Sequence, residues 1–297
     1  MQKITPHLWF DTQAKEAAAF YVSAFGGDSS ITSATPIRDT PSGDVEMVGF
    51  RLLGYDFMSI SAGPMFTFNP SISFMVHFDP SRRDALDALW ARLAEDGTPL
   101  MPLGAHPFSE RYGWIEDRYG VTWQLMSSPA AADRSAIMPS LLFTGSVCGK
   151  AEEAMRLYTS IFPDSGTGTV ARYGADQAPN REGTVMFEDF TILGQWFAAM
   201  DSALEHDFSF NEAISLVVGC DTQEEIDRYW EKLSAVPEAE QCGWCKDRYG
   251  VSWQIVPSAL GRLMGGTEDQ RARVTKAFLE MKKFDIAALE RAYEGTA

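Results

Sequence analysis

The stretch DRYGVTWQL, from Asp117 to Leu125, returns almost unchanged as DRYGVSWQI, from Asp247 to Ile255. Each stretch is typical of a tight turn that leads into a β-strand, because a glycine ends the polar part and apolar residues then alternate with polar ones. Gly120 and Gly250 stand where such a turn needs a positive φ angle. A phrase that occurs twice in one chain predicts a structural unit that is built twice.

The repeat extends over most of the 297 residues. ITPHLWF at 4–10 aligns with IMPSLLF at 137–143, and FTFNPSISFMVHFD at 66–79 aligns with FSFNEAISLVVGCD at 208–221, in the same order along the chain. We therefore predict a first domain at 1–128 and a second at 136–258, joined by the small polar stretch SSPAAADRSA, with a C-terminal helical extension at 259–297.

Each copy also divides into two halves of the same design. KITPHLWF alternates like a strand, AKEAAAFYVSAF has helical spacing, and three further strand patterns follow before SISFMVHFD starts the series again. The order strand, helix and three strands is thus expected twice in each copy. The predicted class is α+β, with each domain made of two βαβββ modules.

Composition and charge exclude several kinds of partner. A formal charge of −16 and a pI near 4.6 repel phosphate backbones and anionic membranes, so nucleic acid and membrane partners are not expected. The segment MQKITPHLWF lacks the pattern of a signal peptide, and no stretch approaches the roughly 20 apolar residues that span a bilayer. We predict a cytoplasmic protein.

Two short motifs suggest chemistry that their context does not favour. CGWC, from Cys242 to Cys245, aligns with YGWI in the first copy, so its cysteines take strand positions and not the helix start of a redox pair. DSGTGTV, from Asp164 to Val170, follows a helix and leads into a strand, which is the reverse of a nucleotide-binding loop.

The four βαβββ units resemble the vicinal oxygen chelate superfamily, which includes glyoxalase, bleomycin-resistance proteins and dioxygenases. HLWFDTQAKEAAAFY and CGWCKDRYGVSWQIVP further resemble its PhnB-like family, which carries the name 3-demethylubiquinone-9 3-methyltransferase. The resemblance implies that the two modules of each copy form a curved, cup-like mixed sheet around a small ligand. It also implies a tandem pseudo-dimer, with homodimerisation left open.

The same resemblance indicates where a metal would bind. Metal enzymes of the superfamily carry a glutamate after the turn, where this chain has Gln124 and Gln254, and a neutral amide is a poor ligand for a hard cation. The other metal-ligand positions of these enzymes correspond to His7 or Ser140, to Ser73 or Ser215, and to the region near Ser59. The candidate cup-lining residues are therefore His7, Ser59, Ser73, Gln124, Ser140, Ser215 and Gln254.

Neighbouring strand residues face opposite sides, so Trp123 and Trp253 are predicted in the core if the glutamines face the cups. Trp90 with Trp230 and Trp114 with Trp244 also recur, which favours shared architecture, whereas a ligand role is more open for Trp9 and Trp196. Because His7 aligns with Ser140, we predict that the N-terminal cup is the better ligand site.

The function predicted is the binding of a small polar or aromatic metabolite in a metal-free cup, without a cofactor. The alternative is a metal-dependent lyase, isomerase or dioxygenase of the vicinal oxygen chelate type, with a divalent ion in the cup. Whether the chain is an enzyme is left open between these two hypotheses. Methyl transfer in the literal sense is not favoured, since no glycine-rich strand-to-helix loop is present to hold a methyl donor.

Overall fold

A computed structural model describes residues 2–40, 43–129 and 135–296; part of the predicted linker SSPAAADRSA lies outside these residues. The strands are β1 (Ile4–Phe10), β2 (Ser30–Thr40), β3 (Gly43–Leu52), β4 (Tyr55–Ser61), β5 (Ile72–Phe78), β6 (Thr98–His106), β7 (Ser109–Glu116), β8 (Thr122–Ser127), β9 (Ile137–Phe143), β10 (Gly166–Arg172), β11 (Val185–Ile192), β12 (Gln195–Asp201), β13 (Ile214–Cys220), β14 (Trp244–Lys246) and β15 (Ser252–Pro257). The helices are α1 (Ala14–Phe25), α2 (Arg83–Leu93), α3 (Ala151–Ile161), α4 (Gln223–Leu233), α5 (Leu260–Met264), α6 (Glu268–Leu279) and α7 (Ile286–Glu294). In these parts of the chain, no helix has the length and apolarity required to traverse a bilayer.

The strands form two curved mixed sheets, which we call the seven-stranded cup and the eight-stranded cup. Their strand orders are β14-β15-β13-β1-β4-β3-β2 and β10-β11-β12-β9-β5-β8-β7-β6. The predicted α+β class, with two curved mixed sheets and a C-terminal helical extension, is confirmed. The smaller cup has one strand fewer because a short hairpin leads into β14, where the other cup has the long strand β6.

The composition of each cup differs from the prediction. Strand β1 pairs antiparallel with β13, which places His7 opposite Ser215, and β5 pairs antiparallel with β9, which places Ser73 opposite Ser140. Each cup therefore takes one module from the first copy and one from the second. The prediction that residues 1–128 and 136–258 would each close a cup of their own was wrong.

The packing of the core explains this exchange. Within the first copy, the Phe57 ring on β4 meets the Phe74 ring on β5 at 5.0 Å, and Tyr21 of α1 meets Trp123 of β8 at 5.3 Å. The two modules of a copy thus face each other through their helix-bearing convex sides, in one continuous apolar core. Their first strands then belong to different sheets, and each takes a neighbour from the other copy, which leaves neither as an open edge.

The repeated turn stabilises this core from one end. The Asp117 carboxylate accepts hydrogen bonds from the Tyr119 and Val121 amides at 2.8 and 3.2 Å and from Trp123 Nε1 at 2.8 Å. Gly120 has the expected positive φ of 88°, and the Trp123 side chain is completely buried. Asp247 repeats the arrangement in the second copy with the amides of Tyr249 and Val251 and with Trp253 Nε1, so the repeated stretch has a structural role.

Candidate functional site

The concave face of each cup is the side opposite the apolar core. In the eight-stranded cup, five residues at neighbouring positions cross this face from strand to strand: Ala198 on β12, Ser140 on β9, Ser73 on β5, Gln124 on β8 and Trp114 on β7. Along each strand, these five residues alternate with side chains of the apolar core, so they face away from the core. We call these five residues the serine–glutamine row.

The seven-stranded cup carries the equivalent row with different chemistry. Its members are Met58 on β4, His7 on β1, Ser215 on β13, Gln254 on β15 and Trp244 on β14. We call these residues the histidine row. The two rows differ most at their second member, where an imidazole stands in one cup and a hydroxyl in the other.

The centre of the serine–glutamine row is a hydrogen-bonded network. Gln124 Nε2 donates to Ser73 Oγ at 2.7 Å, while Gln124 Oε1 accepts from the Tyr112 hydroxyl at 2.7 Å. Burial raises the pKa of Tyr112, so the phenol stays protonated as the donor. These contacts fix the orientation of an amide that is only 2% exposed.

Two polar atoms beside this network have no hydrogen-bond partner among the described residues. They are Ser140 Oγ and Trp114 Nε1, and both atoms are buried. An unpaired buried polar group costs about 1–3 kcal/mol, so such groups are rare unless something else satisfies them. The row therefore offers a hydroxyl and an indole N–H to a bound molecule.

The surroundings of the row are apolar and polarisable. Met75, Met138 and Ala198 form a small buried cluster on the concave face, against which Met126 and the aromatic rings of Phe187 and Trp196 pack. Methionine side chains adapt their shape and make favourable contacts with aromatic rings. A flat apolar molecule is the type of ligand that this wall fits.

Carboxylates provide the charge on this face. Asp189 of β11 lies opposite Ala198, and Glu116 lies two residues beyond Trp114 on the same side of β7. A cavity of about 490 Å³ at this end of the cup is lined by Glu116, Asp207 and the two repeated loops at 67–70 and 207–211. Burial raises the pKa of Glu116. This electrostatic environment disfavours an anion.

In the histidine row, Gln254 Nε2 donates to Ser215 Oγ at 2.9 Å. His7 is 3% exposed, its Nδ1 has no partner among the described residues, and its ring meets Trp244 edge-on with centroids 5.7 Å apart. Burial lowers the pKa of His7 to about 4, so the imidazole is neutral near pH 7.

Six of the seven candidate residues thus line the concave faces, and Ser59 does not. Ser59 lies one position beyond Met58 on the core side of β4, where its hydroxyl donates to the Val48 carbonyl at 3.3 Å. The grouping of the others also changes: His7 belongs with Ser215 and Gln254, not with Gln124. A carboxylate that replaced Gln124 would have no imidazole in its own row.

Neither row fits a divalent metal. The donors of the serine–glutamine row are hydroxyl and amide groups, and the histidine row adds a single imidazole, whereas Zn²⁺, Ni²⁺ or Fe²⁺ sites combine several imidazole and carboxylate ligands. Nowhere in residues 2–40, 43–129 and 135–296 do three His, Cys, Asp or Glu side chains gather as metal ligands would.

Sequence reasoning did not identify Trp114, Tyr112 or Asp189 as residues of the concave face. The recurrence of Trp114 as Trp244 predicts shared architecture, but recurrence does not distinguish a core position from a cup position. The pairing of Trp114 with Gln124 on adjacent strands makes the distinction, since residues directly opposite each other share a face.

One protein-family model, described as 3-demethylubiquinone-9 3-methyltransferase, matches residues 2–126 and again residues 135–256. The chain belongs to this family. Its two matches coincide with the two copies of the repeat. The comparison with curated proteins found no match.

Solved structures of the vicinal oxygen chelate superfamily share the fold. A candidate dioxygenase from Bacillus subtilis is 12% identical over 98% of this chain and 95% of its own, with a TM-score of 0.51. Glyoxalase I from Zea mays is 8% identical over 84% of this chain and 92% of its own, with a TM-score of 0.50. A PhnB protein from Bacillus cereus, described as a candidate 3-demethylubiquinone-9 3-methyltransferase, is 38% identical over 43% of this chain and all of its own, with a TM-score of 0.39. The likeness to the dioxygenase and to glyoxalase I shows the fold alone.

Proposed function

We propose that the eight-stranded cup of this family member binds a small neutral or positively charged molecule that has a flat apolar body and one polar edge, without a metal ion. The observation that carries this proposal is the pair of unpaired buried atoms, Ser140 Oγ and Trp114 Nε1, beside the ordered amide of Gln124. A ligand that satisfies both atoms removes their desolvation cost.

The methionine and aromatic cluster and the serine–glutamine row would contact different parts of the ligand. The methionine and aromatic cluster would hold the body of the ligand by dispersion, while the hydroxyls and the indole N–H would orient its polar edge. Gln124 is held by Tyr112 and Ser73, so the polar groups are arranged before the ligand arrives. Asp189 and Glu116 favour a neutral or cationic ligand over an anion.

The side chains of the serine–glutamine row and the topology of the sheets favour metal-free binding over the alternative functions. A metal-dependent lyase, isomerase or dioxygenase requires imidazole and carboxylate donors, and the serine–glutamine row supplies hydroxyl and amide donors instead. A methyltransferase that uses S-adenosylmethionine usually has a doubly wound parallel sheet, whereas this chain has two curved mixed sheets. Superfamily membership by itself does not establish chemistry.

Calorimetric titration with three probes that share a ring nitrogen acceptor tests the proposal: quinoline, the cationic 4-(aminomethyl)quinoline and the anionic quinoline-4-carboxylate. We expect the neutral or cationic probe to bind, and Gln124→Ala to weaken it at least tenfold. Gln254→Ala is the matched control because it removes the same amide from the other cup, and it should leave the affinity unchanged.

Three results would overturn the proposal. The first is a loss of binding in Gln254→Ala but not in Gln124→Ala, which would move the site to the seven-stranded cup. The second is a preference for the anionic probe. The third is one tightly held metal ion per chain in elemental analysis, together with loss of binding when a chelator removes it.

A further inference from the structure

The C-terminal helices α5 to α7 lie across the seven-stranded cup. We call residues 260–294 the C-terminal strap. Met264 of α5 and Phe278 of α6 pack against a buried cluster of Ile37, Val45 and Ala62, and Trp9, Met47 and Ile60 pack against the same cluster. Trp9 and Ile60 are strand partners two positions beyond the pair of His7 and Met58, so they belong to the same concave face. The strap therefore covers the side of the sheet that holds the histidine row.

The strap also touches both edges of this cup. At the β2 edge, Arg38 forms an ion pair with Glu268 at 3.0 Å. At the β14 edge, the amides of Cys242 and Gly243 donate to the carbonyls of Met281 and Lys282 at 2.8 and 2.7 Å. Because β2 and β14 are the two ends of the strand order, contacts with both carry the strap from one rim to the other.

The far end of the strap is anchored outside the cup. Gly243 has a φ of 81°, and a Cβ atom there would lie 2.5 Å from the Phe284 ring, so the ring occupies space that only a glycine leaves. Gln223, at the start of α4, bonds both the Phe284 carbonyl and the Ile286 amide, at 3.0 and 2.9 Å. The strap is thus tied down beyond the rim, while Phe278 rests over the concave face.

The covered row has the features of a binding site. His7 is 3% exposed and has an unpaired Nδ1, Gln254 and Ser215 form an ordered pair, and the rings of Trp9 and Trp244 stand beside them with centroids 6.2 Å apart. A neutral imidazole nitrogen beside the Trp244 indole suits a neutral flat molecule that can form one hydrogen bond.

We propose that the C-terminal strap is an intramolecular lid that closes a second site, the histidine row, and that this site binds a neutral flat molecule only when the strap is displaced. The open state is a local one, in which Phe278 and Met264 leave the concave face while Phe284 stays anchored at Gly243. The affinity of the closed protein for such a molecule is reduced in proportion to its open fraction. The lid and the second site belong to the seven-stranded cup, so they do not depend on ligand binding in the eight-stranded cup.

Modification of His7 by diethyl pyrocarbonate measures the opening. Trypsin releases His7 in the peptide 4–15 and His77 in the peptide 52–82, and each peptide holds one histidine, so mass spectrometry follows the two rates separately. His77 is 5% exposed and serves as the internal control for global unfolding. Phe278→Ala should accelerate the modification of His7 at least tenfold and leave His77 unchanged.

Phe108→Ala is the matched control, because it trims a phenylalanine that is 63% exposed and belongs to the eight-stranded cup. It should change neither rate. Met264→Ala removes the second apolar contact of the strap. Like Phe278→Ala, it should increase the rate at which His7 is modified. It also provides an independent reading if Phe278→Ala does not fold.

Indole, a neutral flat molecule, tests the site itself. In Phe278→Ala, millimolar indole should slow the modification of His7 at least threefold without slowing that of His77. Equal His7 rates in the wild type and in both strap variants would overturn the lid. Faster modification of His7 without protection by indole would overturn the second site. An equal rise in the modification rate of His77 in both strap variants would overturn the lid, because the strap would then open only together with the core.

Discussion

Glu188 occupies a position that a core strand normally gives to an apolar side chain. It lies on β11 opposite Ala199, as Val48 lies on β3 opposite Ser59 in the first copy. Its side chain is fully buried, and neither carboxyl oxygen has a hydrogen-bond partner among the described residues. Burial, followed by the nearby carboxylates of Glu152 and Asp201, raises the pKa of Glu188 to about 7.

We expect Glu188→Val to stabilise the protein, and to do so more at pH 8 than at pH 5. The folded state keeps the Glu188 proton up to about pH 7, whereas the unfolded chain loses it near pH 4.5, so the free energy of unfolding falls as the pH rises through this window. The gain at pH 8 should be on the order of 1–3 kcal/mol. Urea unfolding at both pH values measures it, and an equal gain at the two would contradict the charge explanation.

His7 should produce the opposite dependence at lower pH. Its folded-state pKa is about 4 and its ordinary value is 6.5, so only the unfolded chain takes up the proton between these values, and stability is lost as the pH falls from 6.5 to 4. His7→Ser introduces the residue of the equivalent position, Ser140, and should remove a loss of about 3 kcal/mol. Urea midpoints of the two proteins at pH 7 and pH 4 provide the measurement. A loss that persists in full in His7→Ser would show that other groups cause it.

At the scale of elements, the D-R-Y-G turn joins backbone geometry to core packing. Asp117 is 3% exposed and binds two amides of its own turn together with the indole of a buried tryptophan. Burial raises the pKa of this carboxyl to about 6, although the hydrogen bonds to its charged form oppose that effect. The turn and the large core side chain are therefore stabilised together.

Gly120→Ala should destabilise the protein by about 1–3 kcal/mol, because φ is 88° there and a side chain rarely adopts that conformation. The added methyl would lie 3.5 Å from Phe68, which is ordinary contact, so the cost comes from the backbone. Gly104→Ala is the control, since its φ is not positive and its Cβ would meet nothing within 4 Å. Urea unfolding should separate the two variants; similar losses would remove the backbone explanation.

At the scale of the molecule, the exchange of modules makes each copy dependent on the other. Ser73 and Ser140 are opposite each other on antiparallel strands, where Cα atoms are roughly 4.5–5.5 Å apart, and disulfides span about 4.4–6.8 Å. We expect Ser73→Cys with Ser140→Cys to form a disulfide under mild oxidation, which peptide mapping would detect beside the four native cysteines. His7→Cys with Ser73→Cys should stay reduced, because these residues would be neighbours only if each copy closed its own cup.

The two cups differ in what surrounds them as well as in their rows. The eight-stranded cup has β6 and the exposed Phe108 at its rim, whereas the seven-stranded cup has no equivalent strand among the described residues and carries the C-terminal strap. The expectation that the cup with His7 is the better ligand site did not include the strap. With the strap in place, the cup that contains Gln124 becomes the better candidate.

Much of the fold was determined by the sequence alone, because its signals are local. Alternation and helical spacing predicted the βαβββ modules, Gly120 predicted a turn with positive φ, and the neighbouring positions of Trp123 and Gln124 predicted that one side chain is buried in the core and the other faces a cup. These features follow from the backbone of a few residues, so no distant contact is needed to infer them. The repeat itself showed that the unit is built twice.

Only the tertiary structure decided which modules share a cup. The sequence of each copy is compatible with β1 beside β5 or with β1 beside β13, because both partners offer similar apolar strands with a serine at the same place. The choice depends on how the convex faces of two modules bury Phe57, Phe74 and Trp123 together, which is a contact between distant residues. The same long-range packing separated His7 from Gln124, turned Ser59 toward the core and laid the strap over one cup.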